Sequence, residues 1–221
     1  MRAAISFLLL GAAIMQAEPA PSAKEILESV RMQQTRQQID LTGQLRQNRT
    51  IVPFQLIQSG AVVRYIFSNP EEALQLQIGE KDTRLDEVSS DGVEKVTPAK
   101  FDQKVRGTDV TYEDLALKFL YWPEAEVLGT DNIRTRNCWK LQLRAPSRQS
   151  QYARVLLWID KAGGALMRME GYNEEDQLWK RFEVISAQKI DNRWFLKQMR
   201  IEQLQPGTKR VQSRTYLEIK K

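Results

Sequence analysis

Pairs of adjacent carboxylates such as Glu71-Glu72, Glu113-Asp114 and Glu174-Glu175 are groups in this chain that could do acid–base chemistry. Two neighbouring carboxyls held at different pKa values can serve as acid and base at one bond. Each pair also fits a local structural role, in a turn, the first turn of a helix and a hairpin loop respectively. Histidine is absent, so neither a Ser–His nor a Cys–His couple can form within the chain, nor a His-ligated zinc site. Cys138 is the single cysteine, which leaves no intramolecular disulfide; flanked by strand-like residues, it reads as an ordinary buried strand thiol. No Gly-rich phosphate cradle or dinucleotide fingerprint occurs, and no ligand-spaced cluster suggests a metal. The chain therefore reads as a non-enzyme with no cofactor and no metal. A hydrolase acting on envelope material would need one of the carboxylate pairs to face an internal cavity.

The tryptophans are the other candidate binding groups. By strand alternation Trp139 falls on the inward side, while Trp158, Trp179 and Trp194 fall on the other. With cations beside them, as in Trp179-Lys180-Arg181, they are expected to clad the sheet under aliphatic stems. An exposed partner-docking patch is the alternative.

These groups have to be carried by a β-rich scaffold. The 221 residues are 42% hydrophobic and 28% charged, enough for one domain with a real core. Lys plus Arg outnumber Asp plus Glu by 33 to 28, a formal charge of +5 spread along the chain. That excess is too mild and diffuse for a nucleic-acid footprint. Residues 1–17 read as a secretory signal, with Arg2 ahead of an apolar run and Ala17 at its end. The run is shorter than the roughly 20 residues of a membrane span, so stable membrane insertion is not expected. Residues 18–221 then form a single exported domain.

Ser22-Ala23-Lys24-Glu25 fits a capping box opening a helix over 22–34, with Ala23, Ile26, Leu27 and Val30 on one face. Period-two alternation follows. Leu41, Gly43 and Leu45 share a face, as do Val52, Phe54 and Leu56, then Tyr65 and Phe67, then Leu74 and Leu76. Each run is bounded by turn residues such as Asn48-Arg49 and Ser59-Gly60. A second amphipathic helix is expected over 111–120, capped by Thr111 or Asp109, with Leu115 and Phe119 at i,i+4, and ended by Tyr121-Trp122-Pro123. Residues 136–219 read as five strands, with Leu141, Leu157, Met167, Met169, Phe182 and Met199 inward. The residue pattern alone implies an α+β fold: an antiparallel sheet with one wet face, its apolar face covered by two amphipathic helices.

With those residues laid out, the chain resembles the outer-membrane lipoprotein-sorting protein family, periplasmic carriers of the Lol type. The resemblance rests on residues 107–115 (GTDVTYEDL), 121–129 (YWPEAEVLG), and 157–161 (LWIDK) followed by a Gly turn and 167–170 (MRME). It spans essentially residues 18–221. It implies a strongly curved antiparallel β-sheet, an incomplete barrel, with the helices covering its concave face. It further implies a space there that receives the acyl chains of lipoproteins. The function so implied is a periplasmic, monomeric carrier that takes an acylated lipoprotein or another lipid from an inner-membrane donor to an outer-membrane acceptor. The alternative is an envelope sensor or interaction module on the same scaffold, binding a protein partner. No residue-level ligand motif accompanies the resemblance. The expected lining of a hydrophobic cavity is therefore the inward apolar set: Ile26, Leu27 and Val30; Phe54, Leu56, Tyr65, Phe67, Leu74 and Leu76; Leu115 and Phe119; and Leu141, Leu157, Met167, Met169, Phe182 and Met199.

Overall fold

The computed structural model describes residues 20–68, 70–190 and 193–220; the expected signal at 1–17 lies outside them. The chain opens with helix α1 (Ala23–Gln34). Ser22 and Glu25 cap it reciprocally: Glu25 N–H donates to Ser22 Oγ at 3.3 Å and Ser22 N–H donates to Glu25 Oε2 at 2.8 Å. Its buried stripe is the expected one, Ala23, Ile26, Leu27 and Val30.

Six strands follow, β1 (Gln38–Gln47), β2 (Thr50–Ser59), β3 (Val62–Phe67), β4 (Glu72–Ile78), β5 (Thr83–Ser89) and β6 (Gly92–Lys95). A connecting segment over 96–123 holds the short helix α2 (Tyr112–Ala116). Seven strands complete the chain: β7 (Glu124–Ile133), β8 (Arg136–Arg144), β9 (Arg154–Asp160), β10 (Leu166–Tyr172), β11 (Leu178–Ile190), β12 (Arg193–Leu204) and β13 (Val211–Lys220). All join one 13-stranded antiparallel sheet in the order β6-β5-β4-β3-β2-β1-β13-β12-β11-β10-β9-β8-β7. Sequence neighbours pair except β6 with β7, and one long-range pairing, Leu45 opposite Leu217, joins the first strand to the last at the centre. Strands β6 and β7 are the free edges, so the sheet is not closed: it is the curved, incomplete barrel expected of an α+β chain with few helices.

Four local expectations need correction. Residues 136–219 hold six strands, not five. The second helix is not continuous over 111–120. It stops at Ala116, Leu117 takes a left-handed conformation (φ 52°), and a 3-10 turn covers Lys118–Tyr121. A straight helix would align Leu115 with Phe119, whereas here Leu115 serves the core over β1–β6 and Phe119 the core under α1. The break lets one segment fill both.

Met167 and Met169 do not share a face. Leu166 pairs with Ile159 but Arg168 pairs with Trp158, so Met167 is the extra residue of a β-bulge. Met169 is buried under α1, whereas Met167 packs with Trp158, Cys138, Leu156 and Ile133 on the convex side. A second irregularity, with Gly171 opposite Lys180 but Tyr172 opposite Leu178, turns Trp179 toward the concave core rather than away from it. Trp158 does lie outward, 3% exposed, donating from its indole to Asp131 at 2.9 Å.

Candidate functional site

The concave face carries two apolar clusters that meet at Leu117, Tyr121 and Phe182. Under α1, the expected residues Ile26, Leu27, Val30, Phe119, Leu141, Leu157 and Met169 come together, joined by Leu143, Val155, Ile159 and Trp122. Over β1–β6, Phe54, Phe67, Leu74 and Leu76 form the second cluster, with Leu56, Tyr65, Leu115 and Met199 at its margin. Met167 is the expected residue that falls outside both. Cys138 is buried, and burial pushes its thiol pKa up.

Helix α1 is held almost entirely by its stripe. Two hydrogen bonds supplement it: Arg31 Nη1 to the Leu120 carbonyl at 2.6 Å, and Gln58 Nε2 to the Gln34 carbonyl at 2.6 Å. The Arg31 guanidinium also lies 4.8 Å from the Tyr121 ring centre. The ion pairs of α1 among the described residues, Lys24–Glu28 and Arg31–Glu28, stay within the helix.

The segment over the other half is pinned differently. Asp109, 0% exposed, accepts from Lys104 Nζ at 3.0 Å and Gln47 Nε2 at 3.2 Å, while its N–H donates to Thr215 Oγ1 at 3.0 Å. Asp114 completes the α2 capping box by accepting from the Thr111 N–H at 2.8 Å. The same carboxylate accepts from Lys180 Nζ at 2.7 Å and from the Tyr152 hydroxyl at 2.6 Å. Lys180 and Tyr152 are each 1% exposed, so this is a desolvated ion pair with its lone pairs filled, the arrangement a buried charge requires. Burial and the adjacent Asp114 charge drive the Tyr152 phenol well above its usual pKa. The Tyr152 ring passes so close under β10 that a Cβ on Gly171 would meet it at 2.3 Å; only glycine fits there. Next to this lock, Glu113 accepts from Ser150 Oγ and from the Gln151 N–H at 2.8 Å. Burial raises its pKa against those hydrogen bonds.

Sequence reasoning placed Glu113 and Asp114 correctly in a helix first turn but missed Lys180 and Tyr152. A signal existed: Lys180 has the parity of the inward Phe182, a lysine where alternation calls for an apolar residue. Carboxylates are thus not confined to loops and the convex face, but Asp114 is occupied by Lys180.

Two surface clefts flank these clusters. One, about 620 Å³, is lined by Glu113, Asp102, Arg148, Ser150, Trp179 and neighbours. The other, about 240 Å³, lies on β7 and β8 among Glu124, Glu126, Gln142 and Arg144. Neither is lined by any residue of the expected hydrophobic cavity, and the space beneath α1 is occupied by the helix's own side chains. Among the described residues no group of three or more Cys, Asp or Glu could hold a metal ion, and no helix is long and apolar enough to cross a membrane.

Solved structures share this fold. A DUF1329 family protein from Desulfovibrio piger is 19% identical, with a TM-score of 0.67 and 90% of each chain covered. A protein from Vibrio parahaemolyticus, described as an outer membrane lipoprotein-sorting protein domain, is 15% identical, with a TM-score of 0.70 and the same coverage. A LolA superfamily protein from Nitrosomonas europaea is 16% identical, with a TM-score of 0.62, covering 91% of this chain and 93% of that one. The chain therefore has the lipoprotein-sorting fold that its sequence resembles. No curated protein sequence matches it. Residues 82–221 match the profile of a family described as "Uncharacterized protein".

Proposed function

We propose that this chain, which belongs to the family whose profile matches residues 82–221, is a non-enzymatic carrier of acyl chains between membranes. It would accept the acylated end of a lipoprotein, or another lipid, against the concave face beneath α1. Residues 1–17 would direct export to the periplasm, and 18–221 would act there as one monomeric domain between an inner-membrane donor and an outer-membrane acceptor.

The observation that supports this most is the unequal anchoring of the two covers. Displacing α1 disrupts its apolar stripe, two hydrogen bonds and a ring contact, and uncovers a contiguous apolar floor of Leu141, Leu143, Leu157, Ile159 and Met169. Ile26, Leu27 and Val30 gain roughly 1.5–3 kcal/mol each from burial. A fully buried 16-carbon chain gains about 12 kcal/mol before its own losses. The two are of one order, so a guest that takes the helix's place is bound reversibly, as a carrier needs. The fold shared with the lipoprotein-sorting domain agrees with this reading.

Mass spectrometry of gently purified protein and titration with a fluorescent fatty acid test it directly. Bound lipid, saturable probe uptake, and faster hydrogen exchange over residues 23–34 on uptake are expected. Absence of both lipid and uptake would overturn the proposal.

A further inference from the structure

The longest strands of the sheet are β11 and β12, of 13 and 12 residues. Pairing with β10 begins at Glu183 opposite Arg168, and pairing with β13 begins at Gln198 opposite Glu218. Beyond those points the two strands pair with each other, through Ala187–Leu196, Gln188–Phe195, Lys189–Trp194 and Ile190–Arg193. They extend past their neighbours as a two-stranded ribbon, bent by irregularities at Val184–Ala187.

On this ribbon Trp194 is 72% exposed, the most exposed large apolar side chain among the described residues. Its cross-strand partner Lys189 shares its face, Arg193 lies on the other face over the Phe195 ring at 5.7 Å, and Lys197 follows three residues on; all three cations are exposed. Lys220, also exposed, ends β13 beside the ribbon, where Gln188 Nε2 reaches the Ile219 carbonyl at 3.3 Å. None of these four cations forms an ion pair with a described carboxylate. On the neighbouring strands several arginines are paired: Arg168 with Glu183 at 2.6 Å, Arg181 with Glu170 at 2.8 Å, Arg214 with Glu202 at 2.8 Å and Arg46 with Glu218 at 2.7 Å. Among the described residues, these cations are thus left without a paired carboxylate where an indole projects.

We infer that the β11–β12 ribbon is a membrane-contacting element, seating Trp194 in the interfacial layer of a bilayer while Lys189, Arg193 and Lys197 engage anionic lipid headgroups. An indole is favoured at the headgroup level, where its apolar body and N–H are both accommodated. Each nearby Lys or Arg contributes about 1 kcal/mol at an anionic surface. Three such cations with one aromatic anchor make a weak, reversible, salt-sensitive contact, distinct from insertion. The contact is separate from the concave face, so it stands whether or not an acyl chain binds there.

Flotation of the full chain with vesicles tests this, using phosphatidylcholine alone and phosphatidylcholine mixed with phosphatidylglycerol. Binding to the mixed vesicles only, weakened by salt, is expected. The triple variant K189Q/R193Q/K197Q should bind roughly a hundredfold more weakly, and W194A roughly tenfold. A control triple, K24Q/K95Q/K209Q, removes as many exposed cations elsewhere and should leave most of the binding intact. Circular dichroism checks that each variant is folded. Equal binding to both vesicle types, no binding to either, equal loss in the control triple, or full displacement by inorganic phosphate at matched ionic strength would each overturn the inference. Acyl-probe uptake by W194A should match that of the natural protein, which separates this result from any failure of the carrier reading.

Discussion

The two covers of the concave face are built on opposite principles. Helix α1 is an independent amphipathic element with its own cap, resting on β7–β11 through a non-directional apolar stripe. The α2 segment has only five helical residues and too short a stripe to hold itself in place. It is fastened by Asp109 and Asp114, whose desolvated carboxylates take specific partners on β1, β11 and β13. An apolar contact can slide or be replaced by any greasy surface of similar area. A buried ion pair cannot, because opening it without substitutes leaves two charges in a medium of low polarity. One cover is therefore exchangeable and the other fixed.

The largest effect should come from breaking the fixed side. Lys180→Ala leaves Asp114 buried without its cation and should cost about 3–5 kcal/mol, read as a lower urea midpoint. The double change Asp114→Leu with Lys180→Met should recover only part of that loss, because the Thr111 N–H and the Tyr152 hydroxyl lose their acceptor; a double variant no better than the single one would mean that the pair is not the fastening. Leu27→Ala should cost about 2–4 kcal/mol. It should also speed amide exchange over residues 23–34 well before α2 responds, and equal acceleration in both would erase the contrast. Ser22→Ala removes the α1 cap for about 1 kcal/mol, with the change in exchange confined to that helix.

The smallest effects are in pH dependence, where Glu218 on β13 and Glu113 in the fixed cover should differ in sign. The Arg46 hydrogen bond holds the Glu218 carboxyl below its usual 4.5, so its contribution is present above that value and fades as pH falls through the folded pKa. Arg46→Gln should flatten this acid limb by up to about 1 kcal/mol. Burial raises the Glu113 carboxyl above 4.5, so its contribution is present at low pH and is lost as pH rises through the folded value. Glu113→Gln should remove that decline, seen as a change in the slope of stability against pH on the weakly acidic side.

Much of the fold was legible because its signals are local. Alternation marks which side chains share a face of one strand, Asn48-Arg49 and Ser59-Gly60 mark reversals, and Ser22 with Glu25 marks the start of a helix. The inward sets on β1–β4 were read for the same reason. Expectations failed where a neighbouring strand or a distant side chain set the local geometry. The bulge at Met167 depends on how β10 meets β9. The left-handed Leu117 depends on two clusters competing for one segment.

The order of apolar and polar residues was enough to establish an antiparallel sheet, the α1 stripe and the absence of any histidine-based chemistry. Tertiary structure decided the pairing of β1 with β13, the meeting of Asp114 with Lys180 across 66 positions, and the exposure of Trp194 at the end of a ribbon. Periodicity records the environment of a residue along its own strand. Which charge finds which partner, and which strand outruns its neighbours, depend on contacts between segments far apart in the chain.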